Sequence, residues 1–283
     1  MNLKEIKHRI YSVKSTQKIT SAMKLVSAAK LRRTQMAIEG MRPYKEKLDS
    51  MLLDLLSDIK HFNTPYTAER EVKRVVLIAV ASNSNMCGAF NGNVLRFMRG
   101  VVDDYISKGI AVELYPVGEK MREMLLKYGL PMCEALMSDA GAPKYTSVAS
   151  VAMSLMERFA NGSVDKIEFI YTHYLSASKL LPLRETFLPV KIKRGTGEVF
   201  EDYIVEPGRG ELLQELFPKV ISLNLYTALL DSAVAEHSAR MIAMQVATDN
   251  ADELISELTL EYNKGRQQAI TNELLDIISG SLR

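Results

Sequence analysis

Stepping from Val220 alternately by three and four residues, the chain meets Val220, Leu223, Thr227, Leu230, Val234, His237, Met241, Met244, Thr248, Ala251, Ile255, Leu258 and Tyr262. This alternation averages about 3.5 residues and keeps one face on a partner as two helices supercoil. No proline or glycine interrupts residues 221–264. The pattern predicts a coiled-coil helix over residues 211–283. At about 1.5 Å per residue it would make a rod of about 100 Å. Domain helices average about 11–12 residues, so a helix this long needs a partner along its length.

Residues 2–60 supply that partner. Leu3, Ile6, Ile10 and Val13 set a seam, the pattern breaks at Gln17, and Ile19, Ala22/Met23, Val26 and Ala29 resume it. Met41, Tyr44, Leu48, Met51/Leu52, Leu55 and Ile59 carry it on. Pro43 predicts a kink rather than a stop. Charge supports the pairing: residues 1–36 hold nine Lys/Arg against Glu5, a net +8. Residues 219–262 hold Lys219 and Arg240 against seven acids, a net −5. Opposite charges beside two apolar seams favour pairing with each other over self-association.

Between the two helices the period changes. Residues 72–82 (VKRVVLIAVAS) form a short β-branched run suited to a central buried strand. Helical spacing follows over 93–107, a strand over 111–117, a short helix over 119–128, a possible third strand over 131–136, and a helix over 146–160. Residues 166–175 and 180–193 read as a hairpin. Residues 195–210 are glycine-rich and loop-like. The expected fold class is α/β: a long antiparallel coiled coil of the two terminal helices with an inserted Rossmann-like domain. Its expected segments are 1–60, 61–210 and 211–283. If the helices are level at the domain, roughly the last 14 residues, about 20 Å, project alone. That tip reads Ala269, Ile270, Leu274, Leu275, Ile277, Ile278, and an exposed apolar helix end needs a socket in another protein.

Composition changes this picture little. An apolar fraction of 47% and a charged fraction of 25% fit a soluble globular protein. Cys87 and Cys133 lack metal-ligand spacing and read as free thiols, and the four histidines are scattered. No secretory h-region and no run of about 18 apolar residues occur, so neither a signal nor a membrane span is expected. The turn at residues 83–92 sits between strand and helix but lacks GxGxxG and GxxxxGK[ST], so a structural turn is expected there. Cys87 beside it reads as a buried small thiol rather than a reactive one. No Ser/His/Asp set, paired carboxylates or HExxH appears. No catalytic residue, cofactor or metal is expected.

The basic first helix leaves three readings open: charges facing the acidic helix or water, a nucleic-acid surface, or Lys30, Arg32 and Arg33 meeting an acidic protein surface. Aromatic interleaving is poor, which argues against stacking on single strands. Thr227, His237 and Thr248 make the second seam polar and are read as register-fixing positions. Gly265 is followed by Arg266-Gln267-Gln268, hydrogen-bonding side chains at the foot of the projecting tip.

Three blocks carry a resemblance. Residues 10–33 (IYSVKSTQKITSAMKLVSAAKLRR), 239–251 (ARMIAMQVATDNA) and 262–281 (YNKGRQQAITNELLDIISGS) resemble, in order and spacing, the gamma subunits of F-type ATP synthases. Ser281 stands where the family signature has alanine, and residues 83–86 lack the family's Asp-Arg-Gly-Leu. The resemblance implies a non-catalytic rotor shaft inside a hexamer of alpha and beta subunits. It implies an α/β domain standing on the membrane c-ring with the epsilon subunit. Arg266 and Gln267 would then bond a loop of beta, with Thr271 nearby. Met23 would lie level with beta's acidic lever, with Lys30, Arg32 and Arg33 as its electrostatic partners. Ile270, Leu274, Ile277 and Ile278 would turn in an apolar collar. Two thiols and no long insertion near Asp202 argue against the redox-regulated chloroplast form. The expected location is the cytoplasmic face of a bacterial inner membrane, held peripherally, with no nucleic acid bound. The rival reading is a basic coiled-coil nucleic-acid or adaptor protein.

Overall fold

The structure is a computed structural model, and it describes residues 2–57, 64–129, 132–133, 140–190, 205–206 and 208–281. Its elements are α1 (Leu3–Ser57), β1 (Arg74–Val80), α2 (Phe90–Ser107), β2 (Ala111–Val117), α3 (Glu119–Lys127), α4 (Tyr145–Ala160), β3 (Lys166–Ser176), β4 (Lys179–Leu188) and α5 (Arg209–Ser281). A single turn of 3-10 helix occupies Pro65–Thr67. Ile59, the end of the first helix near residue 60, most of the strand expected at 131–136, Asp202 and most of the loop expected at 195–210 lie outside the described residues. α5 begins at Arg209, so Gly210 belongs to the helix rather than to that loop. Pro43 sits inside α1, and Pro218 sits past the first turn of α5 without ending it.

The chain divides into two compact units. One is Met1–Ala28 with Arg240–Arg283, and the other is Ala29–Ala239. The larger unit holds a sheet of order β2-β1-β3-β4. β1 runs parallel to β2 and β3, and β4 returns antiparallel to β3 as the expected hairpin. β1 is buried over Val75–Val80, as a β-branched run with no polar alternation requires. Its even positions Val76, Ile78 and Val80 pack with Val148, Leu155 and Phe159 of α4 and with Phe217, Ile221 and Leu225 of α5. Its odd positions Val75, Leu77 and Ala79 pack with Val94 and Met98 of α2 and with Met121 and Leu125 of α3. Of the expected third strand, Met132 forms a parallel bridge to Leu114. Within this unit α1 lies against α5 through Leu48, Val220 and Leu223, flanked by Met41, Leu52 and Leu216.

The smaller unit is an antiparallel helix pair. A Cβ placed on Gly265 would stand 3.2 Å from Leu3 Cδ2. Gln17 Nε2 donates to Asp252 Oδ1 at 3.0 Å, and the hydroxyls of Thr20 and Thr248 meet at 2.8 Å. Seventeen residues along α1 from Leu3 to Thr20 match seventeen back along α5 from Gly265 to Thr248, so one register holds throughout. On α5 the expected seam is the packed one. Met244, Ala251 and Leu258 are buried and Met241, Ile255 and Tyr262 on the same seam are half-buried, while Val246, Leu254 and Leu260 face out.

On α1 the expected seam needs correction. Ile19 and Val26 are 57% and 56% exposed, and Ala22 and Ala29 are exposed too. The packed positions keep the three-four spacing without a break: Leu3, Ile6, Ile10, Val13, Gln17, Thr20, Lys24 and Ser27. Hydroxyls replace hydrocarbons where the two helices face each other, and each finds an acceptor. Thr20 Oγ1 bonds the Gln17 carbonyl at 3.0 Å, and Ser27 Oγ bonds the Met23 carbonyl at 2.7 Å. A buried hydroxyl satisfied by its own helix is tolerated in a seam that hydropathy would place one face away. In the larger unit Tyr44, also read as seam, is exposed.

Candidate functional site

The projecting end of α5 follows from the register of the helix pair. Leu3 lies beside Gly265, so residues 266–281 run on past the start of α1. At about 1.5 Å per residue that is about 24 Å of single helix. Arg266, Gln267 and Thr271 are exposed, and Thr271 Oγ1 donates to the Gln267 carbonyl at 2.9 Å. Ile270, Leu274, Ile277 and Ile278 are 44%, 54%, 68% and 55% exposed. Gln267, Thr271, Leu274 and Ile278 recur at four, three and four, so they share a helix face with the polar pair at its base. This end presents a narrow polar collar at its base and exposed hydrocarbon beyond it.

The remaining expected site residues lie on α1. Met23 is half-buried in the smaller unit and gives its carbonyl to Ser27. Lys30, Arg32 and Arg33 belong to the larger unit and are exposed.

The turn after β1 spends its polar groups on itself. Asn91 Oδ1 accepts from the Ser82 amide at 3.0 Å, and Ser82 Oγ donates to the Ser84 carbonyl at 2.7 Å. Asn83 Oδ1 accepts from the Glu119 amide at 3.1 Å and so serves the start of α3. Gly118 has φ +90°, and a Cβ there would stand 2.1 Å from the Ala81 carbonyl oxygen. Cys87 is buried with Phe90 and Ala235. This arrangement is a structural corner, which agrees with the absence of a phosphate-cradling motif.

Two polar clusters brace the sheet. Glu168, 2% exposed, receives Arg184 Nε at 2.6 Å and Lys166 Nζ at 2.6 Å, and Arg184 Nη2 reaches Tyr105 Oη at 2.6 Å. Burial opposes ionisation of Glu168, but the bonds from Arg184 and Lys166 outweigh it and hold the carboxyl below its ordinary range. Glu113 is likewise held low, first by its bonds from Arg158, which it meets at 2.7 and 3.0 Å. Burial pushes the Cys133 thiol up, as does its bond to Glu113. Among the described residues no group of three or more His, Cys, Asp and Glu could hold a metal, and no helix is long and apolar enough to cross a membrane.

His237 corrects another expectation. Heptad spacing puts it in the seam as a register residue, but its Nε2 meets the Gly141 carbonyl at 2.9 Å, in the turn before α4. A lone histidine in a heptad position gives no sign that its neighbour is a turn of the α/β domain. His173 and Asp231, which pair across β3 and α5, were missed for the same reason, since nothing local in the sequence links residues 58 positions apart.

A family model described as ATP synthase matches residues 2–282. An ATP synthase gamma chain of Bacteroides thetaiotaomicron is 45% identical over 296 residues, spanning 100% of this chain and 99% of its own. That of Bacteroides fragilis is 47% identical over 287 residues, with 99% of each chain covered. This chain belongs to the ATP synthase gamma-chain family. It is accordingly a non-catalytic subunit of that enzyme. A chain from the Euglena gracilis mitochondrial ATP synthase aligns over 98% of this chain and 92% of its own, with TM-score 0.67 and 19% identity. A chain from the Tetrahymena thermophila mitochondrial central stalk and c-ring structure covers 81% of this chain and 99% of its own, with TM-score 0.59 and 21% identity. At those identities the likeness is one of fold. Gamma-family membership accounts for a chain whose longest helices are its two ends.

Proposed function

We propose that this chain is the central-stalk rotor of an F-type ATP synthase, coupling ion flow through a membrane c-ring to ATP synthesis and hydrolysis at beta subunits of an alpha/beta hexamer. The observation that carries the reading is the exposed run of α5 beyond Gly265, apolar toward its end and polar at its base. A rotating tip needs an apolar bearing that slides, because hydrophobic contact is non-directional. It needs few directional bonds, since each breaks in every turn.

The parts divide as follows. Helices 1–60 and 211–283 form the stiff axle, and the domain 61–210 stands on the c-ring beside the epsilon subunit. Ile270, Leu274, Ile277 and Ile278 turn in an apolar collar of the hexamer. Arg266 and Gln267, with Thr271 beside them, bond a beta loop at the base of that collar. Met23, Lys30, Arg32 and Arg33 face an acidic lever of beta. Because a single helix is off-centre, its rotation presses the three beta sites in sequence and changes their nucleotide affinity by differential contact. The assembly sits peripherally on the cytoplasmic face of a bacterial inner membrane.

The test is reconstitution. The chain should co-purify with an alpha/beta hexamer, and Arg266→Ala with Gln267→Ala should lower coupled ATP hydrolysis by about tenfold, the scale of one or two charge-assisted bonds. Full coupling in that double variant would remove the assigned contact, and failure to co-purify would remove the rotor reading.

A further inference from the structure

α5 is bound to the sheet layer mainly by hydrocarbon, but two polar ties stand apart. Asp231 accepts the Tyr174 amide through Oδ1 at 3.1 Å, and its Oδ2 meets His173 Nδ1 at 2.5 Å. The hairpin β3–β4 thus grips the helix at one point. Six residues on, His237 is 3% exposed and bonded to the Gly141 carbonyl. The turn lies against the helix at Gly141, whose Cβ position is 3.4 Å from the His237 ring and 3.7 Å from the Glu236 carboxylate, ordinary contact distances.

Six residues at about 100° each leave Asp231 and His237 about 120° apart around the helix and about 9 Å apart along it. The hairpin therefore holds one side and the turn before α4 holds another. Apolar packing resists separation but has little preference for angle. Hydrogen bonds weaken steeply once donor and acceptor swing out of line. One such tie acts as a pivot, whereas two on different sides oppose rotation of the helix about its own axis.

We propose that Asp231 and His237 are positioning residues, a two-point key that locks α5 against turning relative to the sheet, so that torque on the α/β domain reaches the helix. The inference rests on the rotor reading and adds to it the place where domain and axle are joined. Neither residue touches nucleotide or ion.

The experiment uses the whole complex in sealed vesicles, with ATP hydrolysis and ATP-driven ion uptake measured on the same preparation. Asp231→Ala with His237→Ala should lower ions moved per ATP by at least about fivefold, the factor one lost hydrogen bond carries in an equilibrium. Hydrolysis itself should stay within about twofold, the scatter of a remote surface change. Asp231→Asn keeps an acceptor for the Tyr174 amide, and His237→Gln keeps a donor for the Gly141 carbonyl, so that pair should restore the ratio. Should the double alanine variant fail to assemble, each single alanine variant carries the same prediction at smaller size. Hydrolysis and uptake falling together, or an unchanged ratio, overturns the proposal. Absence of ATP-driven uptake with the unsubstituted chain would instead sink the rotor reading, and the key with it.

Discussion

Thr20 and Thr248 offer a direct energetic test of the helix pair. Their hydroxyls meet at 2.8 Å where a coiled coil would normally place hydrocarbon. Each hydroxyl also reaches a carbonyl of its own helix, Thr248 that of Met244 at 2.8 Å and Thr20 that of Gln17 at 3.0 Å, so two protons serve three contacts and the cross-helix bond takes its proton from either hydroxyl. Valine has nearly the same shape and nearly the same helix propensity as threonine. Thr20→Val therefore removes the bond and leaves one lone pair of Thr248 facing methyl groups, at a cost of about 1 kcal/mol. Thr248→Val costs a similar amount. With both replaced, two apolar groups of the same shape face each other, and the change is close to neutral. The cycle should give a coupling of about 2 kcal/mol, because both single losses vanish in the double variant. Because the chain has two compact units, a global melt would blur this, so the assay is native-state hydrogen exchange at the amides of residues 17–24. Coupling within about 0.3 kcal/mol of zero, the ordinary additivity error, would refute the bond and the register built on it.

Two further predictions concern the α/β layer. Gly118→Ala places a Cβ 2.1 Å from the Ala81 carbonyl oxygen at a positive φ, so the variant should lose more than ~3 kcal/mol and fail to accumulate as folded protein, which soluble yield and circular dichroism would show. Glu113 and Glu168 are held below their ordinary value of 4.5, so the stability they add is fully present above that pH and is lost as pH falls through their lower folded values. A thermal melt series should show Tm dropping on the acid side of about pH 4.5, with a shallower drop in Glu168→Gln; an identical acid slope in that variant would contradict the assignment.

How much could be read beforehand depended on where the chemistry was local. The seam of α5 was legible because its knobs are hydrocarbons at heptad spacing, and the outward Val246 and Leu254 did not disturb the count. β1 was legible because six consecutive buried positions need an unbroken apolar run. The seam of α1 past Val13 was not, because Thr20 and Ser27 pack through hydroxyls bonded to backbone carbonyls and Gln17 through the Asp252 carboxylate, none of which a hydropathy pattern shows. Ile19 and Val26, the apolar residues nearby, drew the reading to the wrong face. His237 and Asp231 lay beyond reach because their partners are set by tertiary packing across long sequence separations. The tip residues Arg266, Gln267 and Thr271 could be placed on an exposed helix end by counting register, but their roles came from resemblance to a family.

The central claim is that the end of α5 turns inside a ring of partner subunits. Gln267→Cys in the assembled complex, combined with Cys133→Ser, tests it most directly, since the second change removes the half-buried thiol and Cys87 is buried. Mild oxidation or a short thiol cross-linker should join the chain to a beta subunit, stop ATP hydrolysis, and release it again on reduction. A complex that contains the chain, reacts fully at position 267 with a small thiol reagent, and yields no cross-link to the hexamer would contradict the account.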